Sequence, residues 1–244
     1  MYKRQDILPA ALAVIKAFVT YMHVENFTIS GAGLREGIMF NQALPSTIEK
    51  PVSDVLNYSL TTLVKWYDCD EKHVEHVVNL SIQLFKQLRV LHKFPRQYLK
   101  VLKVAATLHD CGMRIKYYNH QRHSWYMILN ANLYGVTHRE IVLAAFTACC
   151  HKKEDINPLD WARFKDILRD EDIEIVKRLG VMLRIAESLD RSMSGCIKGI
   201  NCDILGDSVI MKTEVEGDAT LEIRDAMAAG AEFKKSFHKN LEIL

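Results

Sequence analysis

The sequence predicts a mainly α-helical protein with a small β element near its carboxyl end. Three observations lead to this prediction. Only 11 of the 244 residues are glycine and 5 are proline, the residue types that punctuate strand-rich folds. Apolar residues recur at intervals of three and four from about residue 50 to 195, which is the period of an amphipathic helix. After residue 200, short apolar runs are separated by Gly-Asp pairs, a pattern typical of hairpins.

The composition is that of a globular protein, with 49% hydrophobic and 25% charged residues, and it excludes disordered and fibrous classes. A formal net charge of +2 is too small to favour binding of nucleic acid. The six cysteines form no CxxC pair, so we expect reduced thiols and a cytoplasmic location. Lys16 interrupts the apolar run near the amino terminus, so we expect neither a signal peptide nor association with a membrane.

Residues 1–48 are expected to form a helix, a strand and a second helix. Asp6 and Pro9 suit the start of the first helix. A β-like run covers Asn26–Ser30, and Gly31–Gly37 opens the second helix. We interpret these glycines as a tight turn, with a phosphate cradle as the alternative. One strand cannot form a sheet alone, so the segment is expected to be a piece of an α/β layer.

Residues 49–199 are expected to form a helical domain. Asp68 and Glu71 resemble a capping box in front of one helix. Thr137–Glu140 has the full T-x-x-E pattern in front of another. The last long helix of this domain is expected to stop near Gly195.

Eight of the ten histidines fall within about a third of the chain, which is the first indication of a metal site. Several of them, and two aspartates, sit three, four or seven residues from apolar positions, or directly beside such a residue at a helix end, and so are expected to face the core. Burying one such group without a partner costs several kcal/mol, so a set of five suggests that they share a cation. The inward set is His73, His109, Asp110, His151 and Asp190.

A single inward histidine is more often a hydrogen-bonded core residue than a metal ligand, and this alternative stays open for His73 or His151 alone. The adjacent pair His109 and Asp110 favours a shared site. Neighbouring helical residues point about 100° apart, so both reach one point only near a helix end. Gly112 supplies such an end.

The other histidines of this region divide by their positions. His76 shares its side of a helix with polar residues and is expected to face solvent. His92 and His138 are expected at the surface. His120 and His123 both lie near the start of the next helix, where His123 is a candidate ligand and His120 remains undecided.

Residues 200–244 are expected to form a three-stranded antiparallel meander and a terminal helix. The three strands are predicted over INCDIL, SVIMKTEVE and ATLEIRD. Gly206-Asp207 and Gly217-Asp218 suit the two turns between them. The helix is predicted from Ala226 to about His238.

The motif set resembles a known superfamily. His73, the run Leu108–Gly112 and Asp190 resemble the HD superfamily of metal-dependent phosphohydrolases. The surrounding sequence is similar to the carboxyl-terminal region of the exopolyphosphatase/guanosine-pentaphosphate phosphatase (Ppx/GppA) family. The similar segments are HVEHVVNLSIQLF, ATLHDCGMRI, LRIAESLDRS and FKKSFHKNLEIL. The segment FTISGAGLREGIMF resembles the end of that family's actin-like domain, whose phosphate loops and catalytic carboxylate have no match here. Exopolyphosphatase chemistry is therefore not expected.

The resemblance implies one or two divalent metal ions, chosen from Mn, Fe, Ni, Zn or Mg. It also implies that Asp110 bridges two ions. His123 and His151 match histidines that some HD enzymes use to hold a second ion. The full ligand set that it implies is His73, His109, Asp110, His123, His151 and Asp190.

Many HD enzymes carry a lysine directly after the H-D-x-G element, where this chain has Met113. We take Asp110 and Lys116 as catalytic candidates, and Arg122 and Arg191 as residues that bind substrate phosphate. The reaction implied is metal-dependent hydrolysis of a phosphate ester or phosphoanhydride, in a nucleotide, a guanosine polyphosphate or a polyphosphate-related compound.

A second hypothesis is a non-catalytic regulatory module that keeps these residues but binds a nucleotide or a partner. The bare strand Asn26–Ser30 favours it, because an unpaired strand edge recruits other chains. We therefore expect residues 1–44 to be buried in a contact, most simply that of a two-fold homodimer. Pairing of this strand with the C-terminal meander is the alternative.

Overall fold

The computed structural model describes residues 6–27, 33–43, 52–152 and 156–244. The chain divides into two compact units, residues 1–53 and residues 54–244. All six cysteines are free thiols, as expected. Within the described ranges, no helix combines the length and the apolar character needed to cross a membrane.

The amino-terminal unit contains two helices in its described residues. Helix α1 spans Leu8–Tyr21, with proline in its first turn as expected, and α2 spans Leu34–Ala43. Neither helix has a buried residue. The predicted strand is not seen at Asn26 and Phe27, and its remaining residues, 28–30, lie outside the described ranges.

Four long helices of the second unit pack in a closed ring. They are α4 (Glu71–Gln87), α6 (Gln97–Leu108), α8 (His138–Cys149) and α10 (Asp172–Ser188). Helix α4 contacts α6, α6 contacts α8, α8 contacts α10, and α10 returns to α4. Their inner faces form a core of fully buried residues that includes Leu80, Leu102, Leu143 and Leu183.

Shorter elements complete this helical region, which confirms the predicted helical middle. Helix α3 (Val55–Trp66) packs on α6, and α5 (Arg89–His92) follows α4. A single 3₁₀ turn, Cys111–Arg114, comes directly after the α6 end and contacts α7 (His120–Asn130). Helix α9 covers Pro158–Ala162.

Local sequence was sufficient to predict one helix cap correctly but not another. The Thr137 hydroxyl accepts a hydrogen bond from the Glu140 N–H, and the Glu140 carboxylate accepts one from the Thr137 N–H, so this capping box is confirmed. At α4 the cap is Asp70, whose carboxylate accepts from the His73 N–H. The predicted cap at Asp68 is wrong, because Asp68 adopts a left-handed turn with φ 56° that precedes the helix.

A small mixed sheet follows the helical ring. Strands β1 (Ile197–Leu205) and β2 (Ser208–Val215) form the antiparallel hairpin predicted at Gly206-Asp207. Two helices then return the chain, and β3 (Asn240–Ile243) pairs parallel to β2, giving the order β1-β2-β3. The two returning helices are α11 (Thr220–Met227) and α12 (Gly230–Phe237), where one helix was predicted.

The predicted third strand is therefore wrong, and its residues form α11. The Asp218 carboxylate accepts from the Thr220 N–H at 2.9 Å and so supplies a helix-start interaction. Buried residues then recur at helical intervals of three and four. Apolar and polar residues also alternate over this short run, which is why it resembles a strand. These buried positions are Ala219, Glu222, Ala226 and Ala229.

Helix α4 covers the outer edge of β1 with side chains. Gln83 Oε1 accepts from the Ile200 N–H at 3.0 Å, and Gln87 Nε2 donates to the Ile200 carbonyl at 3.3 Å. His76 Nε2 lies 2.6 Å from the Ile197 carbonyl oxygen. An edge strand with unpaired N–H and C=O groups would recruit other chains, so these contacts protect β1.

A buried ion pair joins α8 to the start of α10. Asp172 is fully buried, and the Arg139 guanidinium donates to both of its carboxylate oxygens, with Nε at 2.9 Å from Oδ2. The Arg169 N–H donates to the same carboxylate at 2.8 Å. Removing one partner of such a pair leaves an uncompensated buried charge.

We predict that Arg139→Met lowers the free energy of unfolding by about 3 kcal/mol, because Asp172 loses its bidentate partner. Urea unfolding followed by circular dichroism measures this change. Arg163→Met is the matched control, since that guanidinium is 70% exposed and lies 4.0 Å from Asp160. Its loss should cost about 0.5 kcal/mol or less. Equal losses in the two variants would contradict the buried role of Arg139.

Candidate metal centre

Five buried ionisable side chains meet where the ends of several helices come together. His73 is the third residue of α4, and His109 and Asp110 directly follow α6. His120 begins α7, and His151 comes two residues after α8. Each of the five is 9% exposed or less. Helix ends supply these side chains because the chain there can direct a ring or carboxylate along the helix axis into the core.

The first group of facing atoms belongs to His73, His109 and Asp110. His73 Nε2 lies 3.8 Å and His109 Nε2 lies 3.4 Å from Asp110 Oδ2. The three possible ligand atoms lie within 4.8 Å of one another. The two imidazole rings are 5.4 Å apart between centroids and tilted by 50°. One carboxylate oxygen thus faces two ring nitrogens.

The second group belongs to His120, His151 and the same carboxylate. His120 Nε2 lies 3.1 Å and His151 Nε2 lies 3.5 Å from Asp110 Oδ1. The two ring nitrogens are 3.1 Å from each other. Asp110 therefore presents one oxygen to each group, an arrangement suited to a carboxylate that bridges two cations.

Backbone carbonyls define the tautomer of three of these histidines. The Nδ1 atoms of His109, His120 and His151 each lie within hydrogen-bond distance of the carbonyl oxygen three residues earlier. A carbonyl oxygen only accepts, so each Nδ1 must carry a proton. In the neutral ring, Nε2 then holds the lone pair. The nitrogens that face Asp110 are thus the ones that can bind a cation.

With these tautomers, the second group directs two nitrogen lone pairs and one carboxylate charge at the same small space. The Nε2 lone pairs of His120 and His151 face each other and also face the Asp110 carboxylate. Burial and the charge of His109 lower the pKa of His151 well below its usual range, so this ring is neutral near pH 7. Such a set is unfavourable unless a proton or a metal ion lies among the facing atoms.

Asp110 remains ionised in this environment. Burial by itself would raise its pKa, but positive charge on His109 and the hydrogen bond with a protonated His120 hold the pKa of Asp110 well below its usual range. For His73, burial lowers the pKa. The hydrogen bond to Asp190 and the charge of Asp110 outweigh this effect of burial, so the pKa of His73 is raised overall. Asp110 is therefore available as an anionic ligand.

The residues present fit a divalent metal ion. His73 Nε2 and His109 Nε2 are buried and make no hydrogen bond with any residue that the structure describes. A buried polar atom without a partner costs about 1–3 kcal/mol. Mixed imidazole and carboxylate donors suit Zn²⁺, Mn²⁺, Fe²⁺ and Ni²⁺. One or two such ions would give these atoms partners.

Asp190 lies behind His73 rather than among the facing atoms. Its Oδ2 is 2.7 Å from His73 Nδ1, and its Oδ1 is 2.9 Å from both His76 Nδ1 and the Gly195 nitrogen. Burial would raise the pKa of Asp190, but its hydrogen bonds with His73 and His76 lower it overall. This geometry suits an acceptor that orients a ligating histidine, where the resemblance implied a direct ligand.

His76 is therefore not the solvent-facing residue that was expected. Its side chain is 19% exposed and contacts Asp190 through Nδ1 and the Ile197 carbonyl through Nε2. The expectation was wrong because β1 covers this side of α4, and the helical pattern alone does not show which neighbour a polar side meets.

His120 occupies the position that was considered for His123. His123 is half-buried and belongs to neither group among the described residues. Its Cβ would lie 2.7 Å from a Cβ placed on Gly112, so it packs over that turn. Helix α7 begins at His120 because Asn119 adopts a left-handed conformation with φ 58°, a turn that asparagine tolerates.

His92 was expected at the surface and is instead buried. Its Nε2 lies 2.7 Å from the Phe85 carbonyl oxygen, and its Nδ1 accepts from the Phe94 N–H at 2.8 Å. Burial lowers its pKa. His92 is thus a satisfied core histidine, whereas His138 is exposed as expected.

The three basic residues predicted to act on the substrate differ in their exposure and contacts. Lys116 and Arg122 are both exposed. Arg191 contacts Glu187, with Nη1 3.0 Å from Oε1. Lys152, which the sequence analysis did not consider, contacts the same oxygen at 2.7 Å.

Comparison with models of known families matches residues 55–225 to domain III of the Ppx/GppA phosphatases. That match covers well over half of the chain. The chain belongs to the Ppx/GppA phosphatase family. The matched segment contains every residue of the two groups around Asp110, so the candidate centre lies inside the Ppx/GppA domain.

Curated relatives agree with this family. The chain is 29% identical over 136 residues to guanosine-5'-triphosphate,3'-diphosphate pyrophosphatase of Aeromonas salmonicida (strain A449), covering 55% of this chain and 27% of the relative. The protein of the same name from Pseudoalteromonas translucida (strain TAC 125) is 25% identical over 154 residues, covering 62% and 30%. The chain therefore spans about a third or less of the length of these Ppx/GppA relatives.

We predict opposite neutral tautomers for two buried histidines of this Ppx/GppA domain. His151 should carry its proton on Nδ1, because that atom faces a carbonyl oxygen. His92 should carry its proton on Nε2, because its Nδ1 accepts from a backbone N–H. Long-range ¹H–¹⁵N correlation spectra of the chelator-treated chain at pH 7.5 distinguish the two forms. An Nε2–H tautomer at His151 would contradict the inward lone pair.

Proposed function

We propose that this chain is a metal-dependent phosphohydrolase domain of the HD type that binds two divalent ions. One observation carries the proposal: two groups of inward-facing imidazole nitrogens share the ionised carboxylate of Asp110. Membership of a phosphatase family supports the same chemistry.

The roles follow from the geometry. His73 and His109 would hold one ion, and His120 and His151 the other, with Asp110 between them. Such ions, when bound, lower the pKa of a coordinated water toward neutrality and stabilise negative charge on phosphoryl oxygens. Asp190 would orient His73 through its Nδ1 proton.

The substrate class that we propose is a phosphate ester or phosphoanhydride of a nucleotide, in particular a guanosine polyphosphate. The name of the relatives, guanosine-5'-triphosphate,3'-diphosphate pyrophosphatase, supports this choice. Long polyphosphate is not expected as a substrate, because nothing in this sequence resembles the phosphate loops and catalytic carboxylate of the family's actin-like domain.

A regulatory binding module is the second candidate. The matches cover only 27% to 30% of the named pyrophosphatases, so their activity can reside in the part that this chain does not share. Under this hypothesis the residues around Asp110 would bind a metal or a nucleotide without hydrolysis. Measuring metal content and hydrolysis separately distinguishes the two functions.

We predict that the chain, stripped with a chelator and reloaded with Mn²⁺, binds two ions per chain and hydrolyses a small phosphate ester. Asp110→Asn should abolish hydrolysis and reduce the bound metal to one ion or fewer, because the shared anionic ligand is lost. Metal content by mass spectrometry and phosphate release from p-nitrophenyl phosphate and guanosine tetraphosphate measure these outcomes.

His138→Ala is the matched control, since His138 is exposed and lies at the opposite end of α8 from His151. This variant should keep both ions and full activity. His120→Ala should lose one ion, whereas His123→Ala should keep both. Hydrolysis that persists in Asp110→Asn, or in chelator-treated protein, would contradict the proposed chemistry, and two bound ions without any hydrolysis would favour the binding module.

A further inference from the structure

A buried carboxylate holds two basic side chains close together. Glu187 lies in the last turn of α10 with its side chain 7% exposed. Its Oε1 accepts from Lys152 Nζ at 2.7 Å and from Arg191 Nη1 at 3.0 Å. A buried carboxylate with two charge-assisted hydrogen bonds fixes its partners more firmly than an exposed pair does.

These two cations lie beside the candidate metal centre. Lys152 directly follows His151, and its charge adds to the burial that holds the pKa of His151 well below its usual range. Arg191 directly follows Asp190, the residue that contacts His73. The Glu187 cluster, defined as Glu187, Lys152 and Arg191, therefore joins the residue after His151 to the residue after Asp190 through one buried carboxylate.

The cations are accessible although the carboxylate is not. The Lys152 side chain is 28% exposed and the Arg191 side chain is 40% exposed. Glu187 carries one negative charge against the two positive charges that it holds, and Asp225 adds a second negative charge near Arg191. Asp225 Oδ2 is 3.9 Å from Arg191 Nε, which is beyond hydrogen-bond distance. Lysine has three N–H donors and arginine five, and Glu187 takes one from each.

We propose that Lys152 and Arg191 bind the terminal phosphate of the substrate at the edge of the metal centre, and that Glu187 is the residue that positions them. This inference rests on the proposed function and names its substrate class, a phosphate monoester or terminal phosphate dianion. A planar guanidinium and a compact ammonium together suit the several oxygens of such a group. A phosphodiester, with one negative charge, uses the pair less well.

The cluster also accounts for the cation that the H-D-x-G element lacks. Met113 occupies the position of the lysine that follows this element in many HD enzymes, and Lys116 is exposed. Lys152 follows the end of α8, far in sequence from Met113. Its hydrogen bond to Glu187 of α10 holds it beside the candidate metal centre. Tertiary packing thus supplies a basic group that local sequence does not.

Binding of inorganic phosphate tests the inference without relying on hydrolysis. Isothermal titration of the full chain should show Lys152→Met and Arg191→Met each weakening phosphate binding about tenfold, the effect of losing one charge-assisted hydrogen bond. Lys152→Arg should restore most of the affinity. Lys235→Met is the matched control, since Lys235 is an exposed lysine on α12, and it should leave the affinity unchanged.

Glu187→Gln should weaken phosphate binding while the metal content stays unchanged, because a neutral amide no longer holds both cations in place. Phosphate affinity that is unchanged in Lys152→Met and Arg191→Met would overturn the inference, and affinity retained in Glu187→Gln would overturn the positioning role. The titrations are run in metal-free and Mn²⁺-loaded protein. A wild-type chain that binds no metal would defeat the proposed function, whereas the comparison of Lys152→Met with Lys235→Met would still decide this inference.

Discussion

Asp110 carries a negative charge in a place from which water is largely excluded, and four imidazole nitrogens from four helical segments face it. A buried charge is costly unless positive charge or hydrogen-bond donors surround it. Those neighbours are supplied only when α4, α6, α7 and α8 are all in place. Packing of the core and the charge of Asp110 therefore depend on each other, and the site is built into the centre of the fold.

Groups outside this first layer determine which atoms face inward. Backbone carbonyls place the proton of three histidines on Nδ1, and Asp190 does the same for His73. Asp190 is itself held by His76, which also contacts the Ile197 carbonyl of β1. The C-terminal sheet is thereby connected to the candidate centre through two hydrogen-bonded side chains. The sheet covers the edge of the helical ring and also orients a group of the site.

Much of the fold could be predicted because helices depend on neighbours three and four residues away. The helical middle, the Thr137–Glu140 capping box and the hairpin at Gly206-Asp207 all rest on such local patterns. The third strand could not be predicted correctly, because residues 219–225 fit two periodicities over a short run. Strand β3 pairs parallel to β2 only after two helices have brought the chain back to the sheet. No pattern of neighbouring residues predicts a pairing between segments so far apart in sequence.

Local sequence is sufficient to predict that His73, His109, Asp110 and His151 face the interior, because each lies in register with apolar neighbours on its own helix or beside them at a helix end. Their partners follow from the packing of separate elements. This packing placed His120 in the second group, put a carboxylate behind His73, and gathered Lys152 with Arg191 on a buried glutamate. The physical reason is that a helical period fixes the side of a residue, whereas its contacts are made by other elements that the period does not describe.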